Sequence, residues 1–556
     1  MADSRADQIL SEHARMTTQR QTFDDHRREI AERVIPRKNE FKRGGTAPDI
    51  NKGEKRTEKM FDSTPALALD RFAAAVQSLV SPTGQQWHKL KASDEDLREN
   101  LGVQRYLDEL NKRLFAARYA ANFAPQTSEC YYDLGWAGNM ALFIGDRLGR
   151  GLYYDSIGVD ESFFAENEYG VIDKFHREHW LTARQAAREF GLNKLPAAIK
   201  NAAERHPEQE FKFIRCYKPN QDLKAERRDY RGMQFASYVL AADFRDIVSE
   251  GGYRTFPVAV SRYSVSAGEV YGRSPCMTVL PDIKMLNEME RTTIQAAQLA
   301  TLPPLLAHKD GILDAFRMTP AAMNYGGIDD NGRQLVQPMQ FGSRIEIGIE
   351  MRDQKRLIVR EALWNTLFQI LVENPQMTAT EALIRAQEKG ALLAPPAARI
   401  ESEFLSPTIE REIDILSAAG RLPEMPAELL ERGGIYAIEF ENPLALARRS
   451  NEGVAILRSF EQLATMAQVV GPEKAFKRIN MDEATKILLE VNGFPSKAIY
   501  SDDEVEEINE AQAAQAQAAQ VLQAAPVAAS AAKDLAQAGA IASTAEGQAA
   551  PQVVPA

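Results

Sequence analysis

From Asp282 to Leu302 the apolar residues Ile283, Leu286, Met289, Ala296, Ala297 and Ala300 fall mostly three or four apart, one stripe on a helix. At about 1.5 Å per residue that helix is roughly 31 Å long. A second stretch, from about Glu350 to Val372, carries Leu357, Trp364, Phe368 and Leu371 on one face. Between the two, Pro303-Pro304, Gly326-Gly327, Asp329-Asp330-Asn331-Gly332 and Pro338 break helix and favour turns. The pattern predicts two neighbouring antiparallel struts with a folded tip, because the chain must return and each helix has an apolar face to bury. The polar turn Glu373-Asn374-Pro375-Gln376-Met377-Thr378 follows. Thr378-Ala-Thr-Glu381 then opens, as a capping box, a helix that Gly390 and Pro395-Pro396 interrupt. A further helix is expected from Ser406, with Pro407 at its first position, to Gly420.

Upstream, residues 5 to 35 read as an amphipathic helix with Ile9, Met16, Phe23, Ile30 and Val34 inward and Pro36 as its stop. The basic stretch from Arg37 to Lys59 reads as an exposed loop. An Ala-rich helix from Pro65 to Val80 reads as buried, and a helix from Asp94 to Tyr119 starts at Ser93 with Asp96 three residues on. From Gly149 to Val260, aromatic and β-branched runs such as Leu152-Tyr153-Tyr154 and Phe211 to Tyr217 alternate with turns, which predicts mixed strands and helices. Inside that region Thr182-Ala-Arg-Gln185 is a capping box. Residues 444 to 492 look helical, Asp502 to Glu510 is acidic, and 511 to 556 is mostly Ala and Gln, a frayed helix or disordered tail. The fold class expected is α+β, mainly helical.

A chain of 556 residues suggests about three or four domains. Its 44% hydrophobic and 26% charged content suits a soluble globular protein, and no apolar run nears the roughly 18 to 20 residues that span a bilayer. Membrane insertion is therefore not expected. The charged start MADSRADQ does not read as a signal peptide. Cys130, Cys216 and Cys276 are odd in number and widely spaced, which fits a reducing cytoplasm and argues against disulfides and structural zinc. A net charge of -11 disfavours tight nonspecific nucleic-acid binding by the bulk surface, while a protein that guides DNA without gripping it stays allowed.

Candidate chemistry is sparse. No Gly-Lys dipeptide occurs, which excludes a standard phosphate-binding loop and an ATP-driven motor; GxGxxG, GxSxG and HExxH are absent too. His176-Arg-Glu-His179 would bring two imidazoles to one cation only if helical, with a third ligand from elsewhere; a solvated polar edge is the simpler reading. Asp329 and Asp330 sit in a Gly-rich turn that explains them sufficiently. On the second strut Arg352, Arg356 and Arg360 recur every four residues beside Lys355. That basic stripe reads either as a salt-bridged face near Glu350, Asp353 and Glu361, or as a phosphate contact or charged seam between subunits. The first strut offers Asp282, Glu288 and Glu290 as acidic partners. No catalytic residue, metal or cofactor is expected.

Nine landmarks occur in order along the chain. They are Phe61-Asp-Ser-Thr64, Trp87 after Ser81-Pro82, Asn122-Phe123, Tyr132-Asp-Leu-Gly135, Leu181-Thr-Ala-Arg-Gln185 with Phe190-Gly191, Tyr271-Gly-Arg-Ser-Pro275, Pro303-Pro304, Met377-Thr-Ala-Thr-Glu381 and Gly420-Arg-Leu-Pro423. Over roughly residues 10 to 500 their order resembles the head-to-tail connector, or portal, family of short-tailed double-stranded DNA bacteriophages. The resemblance implies a non-enzymatic ring, usually of twelve subunits, at one capsid vertex in the virion, assembled in the host cytoplasm. Double-stranded DNA would pass through it during packaging and ejection. Its implied partners are major capsid and scaffolding proteins, the terminase large subunit as motor, and tail adaptor or tail tube proteins. It implies a wing over 1–279 and 379–440, stem helices at 280–302 and 346–372, a clip at 303–345, a channel loop at 373–378 and a crown at 441–510. Two rivals remain: a metal-dependent cytosolic hydrolase built on His176 and His179, and a scaffold or adaptor without a channel.

Overall fold

The computed structural model describes residues 2–35, 59–307 apart from a few isolated positions, 323, 328, 331–339, 345–365 and 395–441, with scattered residues between 459 and 465. Met1–Arg449 form one compact unit and Ser450–Ala556 a second, fewer than the length suggests. The expectations for 373–378, the capping box at Thr378, the loop from Arg37, the acidic segment and the Ala/Gln tail lie outside the described residues.

The first helix, Ala2–Val34 (α1), buries Ile9, Met16, Ile30 and Val34 as the periodicity predicts, with Phe23 half-buried. The same face also carries His13, Arg20 and Arg27, all buried. Arg20 is admissible there because its Nη1 donates to the carbonyls of Val159, Asp160 and Ser162 at 3.0, 3.0 and 2.8 Å. Arg27 pairs with Asp24 at 3.1 Å, and burial still pushes its guanidinium down to about 10. Thr64–Val80 (α2) follows, then strand His88–Ala92 (β1). The long helix expected from Asp94 is two: Glu95–Arg98 (α3) and Leu101–Ala120 (α4). Asn100 divides them by turning its side chain onto Gly102 N and Val103 N at 2.8 and 3.2 Å, so Ser93 caps no long helix.

Next come Phe123–Ala137 (α5), Asn139–Asp146 (β2), Leu152–Ile157 (β3), Ser162–Glu166 (β4), Ile172–Thr182 (β5), Ala183–Phe190 (α6), Ala197–Arg205 (α7), Glu210–Pro219 (β6), Phe235–Ala241 (β7), Asp246–Tyr253 (β8) and Val258–Arg262 (β9). Strands β4 to β8 make a five-stranded antiparallel meander, and β3-β2-β9 a three-stranded sheet. One face of the meander packs α6 and α7 through Phe211, Phe213 and Val239 against Ala186 and Ile199. The other receives the start of α1 through Ala6 and Ile9 on Cys216, Tyr238 and Leu240. Both reaches of the predicted capping box exist: Gln185 N on Thr182 Oγ1 at 3.2 Å and Thr182 N on Gln185 Oε1 at 2.9 Å.

Side chains close the sheet edges that would otherwise invite pairing. Asn122 holds both backbone groups of Tyr154 at 2.7 and 3.0 Å, and Gln126 Oε1 takes Ser156 N at 2.7 Å, so β3 cannot extend on that side. Glu403 likewise takes Arg262 N on β9 at 3.0 Å.

The chain continues through Pro275–Thr278 (α8), Leu280–Thr301 (α9), the short pair Leu305–Ala307 (β10) and Val336–Pro338 (β11), and Ile345–Ala362 (α10). The second strut thus starts earlier than expected and is interrupted after Ala362, because Leu363 and Trp364 turn and Trp364 takes φ 62°; the expected stretch from 366 to 372 lies outside the described residues. Where the described residues resume, at Pro395, the chain is already helical, so Ser406 does not start a helix. It runs through a wide π turn at Glu401–Leu405 into Ser406–Ala418 (α11). The wide turn, with Ser406 N on Glu401 O, makes room for Pro407. Ala427–Glu431 (α12) and Tyr436–Phe440 (β12) are the last described elements of the unit, β12 pairing antiparallel with β1. Most buried apolar residues, from Ile30 to Leu429, form one core around α2, α4, α5 and α11. The class is α+β.

Candidate functional site

The two struts lie antiparallel. Glu290 of α9 pairs with Arg352 of α10 at 2.7 Å and Asp282 with Lys355 at 2.7 Å, so position falls along one helix as it rises along the other. Arg356 reaches Glu290 at 3.6 Å and its own Asp353 at 3.1 Å. Three of the four cations of the basic stripe are therefore neutralised inside the chain. Glu288 turns to Arg291 on its own helix instead of crossing the seam. Arg360 is exposed and has no ion pair among the described residues. The seam is half-buried, so each pair adds at most about 1 kcal/mol and mainly sets register.

A denser cluster fixes the base of the struts. Asn287 Oδ1 accepts from Phe61 N and Asp62 N at 2.8 and 3.2 Å, and Asp62 Oδ1 accepts from Thr64 N at 2.7 Å, capping α2. The other Asp62 oxygen takes Arg356 Nε at 2.8 Å. One buried carboxylate thus ties α2 to α10, and one buried amide ties the same loop to α9. Burial alone would raise the Asp62 carboxyl, but hydrogen bonds from Thr64 and then Arg356 hold it below its ordinary value. At the far end of α10, Trp364 packs on Phe72 and Tyr263 with centroids 5.0 and 5.8 Å apart, and Asn365 donates to Ala68 O at 3.1 Å. That packing keeps a bulky residue in the left-handed region it otherwise avoids. Replacing Asp62 by alanine is expected to lower stability by about 1–3 kcal/mol, a lost cap plus a lost charged hydrogen bond. Urea unfolding checks it; a loss under about 0.5 kcal/mol would show that the tie is slack.

Away from this base the struts stand clear of the core. On α9 the buried residues are Leu280, Ile283, Leu286 and Asn287, all in its first half. On α10, Val359 is buried next to Leu363 and Trp364, whereas Leu357, expected inward, is 48% exposed. The kink explains it, since the face turned inward is set by where Trp364 seats. Met285, Ile294, Leu299, Ile349, Met351, Leu357 and Ile358 leave apolar surface open along the pair.

Asp62, Asn287 and Asn365 escaped the periodicity reading, while Trp364, placed on the apolar face, is buried as expected. Asp62 had a signal, an Asp two residues before Thr64-Pro65 at a helix start, from which a carboxylate can accept the N–H two residues on. Residues 373–378 and Asp329-Asp330 lie outside the described residues. The His176 and His179 pairing fails. Both lie on strand β5, where an odd separation sends side chains to opposite faces: His176 lies beside His13 of α1, centroids 5.7 Å apart, and His179 near Phe213, 6.4 Å away. Among the described residues no three His, Cys, Asp or Glu side chains are arranged to hold a metal ion, and no helix is long and apolar enough to cross a membrane. The three cysteines are free and buried.

A family model described as bacteriophage head to tail connecting protein matches residues 6–500. The chain is 26% identical over 468 residues to the "Probable portal protein" of Bordetella phage BPP-1, covering 83% of each chain. It is 25% identical over 519 residues to the portal protein of Salmonella phage epsilon15, covering 91% of each. Similarity to the portal protein of Enterobacteria phage T3 is 22% over 451 residues, covering 78% of this chain and 79% of that one.

Proposed function

Because the chain belongs to the family of bacteriophage head to tail connecting proteins, we propose that it works as a portal, a ring at one capsid vertex through which double-stranded DNA is packaged and later ejected. The role is structural, and nucleotide hydrolysis falls to a separate terminase large subunit. The ring has about twelve copies by analogy of family, sits among major capsid and scaffolding proteins during assembly in the host cytoplasm, and afterwards holds the tail adaptor in the virion. Helices α9 and α10 serve as the stem, 303–345 as the clip, 373–378 as the channel loop, 1–279 and 379–440 as the wing, and 441–510 as the crown.

One observation carries this reading: a pair of antiparallel helices, pinned at its base by Asp62 and Asn287, satisfies most of its charges internally while leaving apolar surface open along its length. Such a shaft fits side-by-side packing against copies of itself. Arg360, exposed and without an ion pair among the described residues, is the stripe residue available to phosphate or to a neighbouring copy. Negative-stain imaging of the purified chain should give rings with a DNA-wide hole; monomers without a channel would overturn the reading.

The channel loop gives a further expectation. Asn374 and Gln376 are polar and uncharged, so phosphate passes without being held; lysines there would add an attraction repeated in every copy. Asn374→Lys with Gln376→Lys should leave rings intact and slow packaging, with the defect relieved by salt. Packaging at the parent rate at every salt concentration would make the loop a plain connector.

A further inference from the structure

The first half of α1 lies across the five-stranded sheet on a seam with a buried, unpaired imidazole at its centre. His13 stacks on His176 with ring planes 14° apart and its Nε2 meets Glu178 Oε2 at 2.9 Å. Phe163 closes the seam edge-on to His13, centroids 4.5 Å apart. His176 is 0% exposed and neither of its ring nitrogens has a hydrogen-bond partner among the described residues. Strand register sets it between Phe163 and Cys216.

The carboxylates around this ring are already engaged. From α1 and β6, Glu12 pairs with Lys218 at 3.3 Å; from β5 and β6, Glu178 takes Lys212 at 2.8 Å. Lys174 lies along β5, while Arg5 covers Tyr238 of β7 and Arg20 covers Phe163 of β4. A proton on His176 would therefore find no counter-charge. Against this seam the apolar hold is small: Ala6 and Ile9 on Cys216, Ala236, Tyr238 and Leu240, with Leu10 and Ile247 beside them. The second half of α1 is anchored differently, by Arg20 on three carbonyls and by buried Arg27, Ile30 and Val34.

We propose that residues 2–19 form a proton-gated strap, seated over the sheet while the His13–His176 stack is uncharged at His176 and released from it by acid, with the remainder of α1 staying in place. Release uncovers the apolar strip around Cys216. The direction follows from the seated ring: burial, then His13, Lys218 and Lys174, hold His176 well below its ordinary value, so the proton is excluded when the strap is down. A released His176 titrates near its ordinary value of about 6.5. Seating is thus at full strength above about pH 6.5 and weakens below it, by up to about tenfold per pH unit for one excluded proton.

The three cysteines supply the readout, since Cys216 lies under the strap while Cys130 and Cys276 lie in the main core. The intact chain is labelled with 4,4′-dithiodipyridine from pH 7.5 to 5, each site is quantified by peptide mass spectrometry, and rates are divided by those of the unfolded chain at the same pH. Protection of Cys216 should fall by up to about tenfold per pH unit below about pH 6.5 while that of Cys130 and Cys276 holds. In His176→Phe, which keeps a ring in the stack and loses the proton site, Cys216 protection should be flat. Amide exchange over residues 6–19 of the natural chain, corrected for intrinsic rates, should follow the same pH course and needs no variant. Constant Cys216 protection in the natural chain, an unchanged slope in His176→Phe, or parallel loss at all three cysteines would each overturn the strap.

Discussion

Replacing Arg118 with leucine should lower the stability of the Met1–Arg449 unit by about 3–5 kcal/mol, the usual loss when one member of a buried ion pair is removed. Glu412 is wholly buried on α11 and depends on that guanidinium: it accepts from Arg118 Nε at 2.8 and 2.9 Å and from Nη2 at 2.5 Å. Tyr154 adds a hydrogen bond to the same carboxylate at 2.6 Å, and Arg118 Nη1 meets His88 Nε2 at 2.6 Å. The network joins α4, β1, β3 and α11, and Trp87 lies 4.7 Å beneath the guanidinium, so tryptophan fluorescence during urea unfolding should report the change. Leucine would strand an uncompensated carboxylate in the core. Adding Glu412→Leu to Arg118→Leu should recover much of the loss, since removing both charges takes away the desolvation penalty with the attraction. A single substitution that moves stability by less than about 1 kcal/mol would show that the pair is solvated in solution.

The second large effect is expected at Gly138, where alanine should prevent the unit from folding. Gly138 ends α5 at φ 77°, and a Cβ there would lie 2.6 Å from Arg273 C and Ser274 N and 2.7 Å from Gly272 O. All three are backbone atoms, fixed by Tyr263 N on Gly138 O at 3.0 Å and Gly272 N on Asn139 Oδ1 at 2.7 Å. Relief requires parting β2 from the turn that leads into α8, which puts the loss above about 4 kcal/mol, beyond ordinary substitutions. Gly170→Ala is the control: its φ is 75° with nothing within 4 Å, so about 1 kcal/mol of backbone preference is all that is at stake. Soluble, normally melting Gly138→Ala protein would mean that the two backbones do not cross this closely.

Much of the fold was legible because it is local. The helical stripes of α1, α2 and α9, the strands around Tyr153 and Ile214, and the capping box at Thr182 each follow from side chains a few residues apart. The family was legible too, from the order of landmarks, and the structure gives several of them a physical reason. Asp62 of Phe61-Asp-Ser-Thr64 caps α2 and holds Arg356; Asn122 of Asn122-Phe123 seals the edge of β3. Gly135 of Tyr132-Asp-Leu-Gly135 lets α5 approach Leu69 and Phe72 of α2. Gly272 of Tyr271-Gly-Arg-Ser-Pro275 meets Gly138.

What stayed hidden is non-local. Spacing marked the basic stripe on the second strut but not whether its charges face outward, and the antiparallel partner helix turned Arg352, Lys355 and Arg356 into an internal seam. Periodicity carried that strut unbroken through Trp364, yet packing of Trp364 on Phe72 and Tyr263 interrupts the helix after Ala362. His176 and His179 read most simply as a solvated polar edge, and they proved to face opposite ways on a strand, with His176 wholly buried. By itself the sequence determined the elements, the apolar faces and the family, since these rest on residue type and short spacing along one chain. Only the tertiary structure decided which charges are paired, which polar groups are buried and where a helix stops, because those depend on the free energy of contacts between residues hundreds of positions apart.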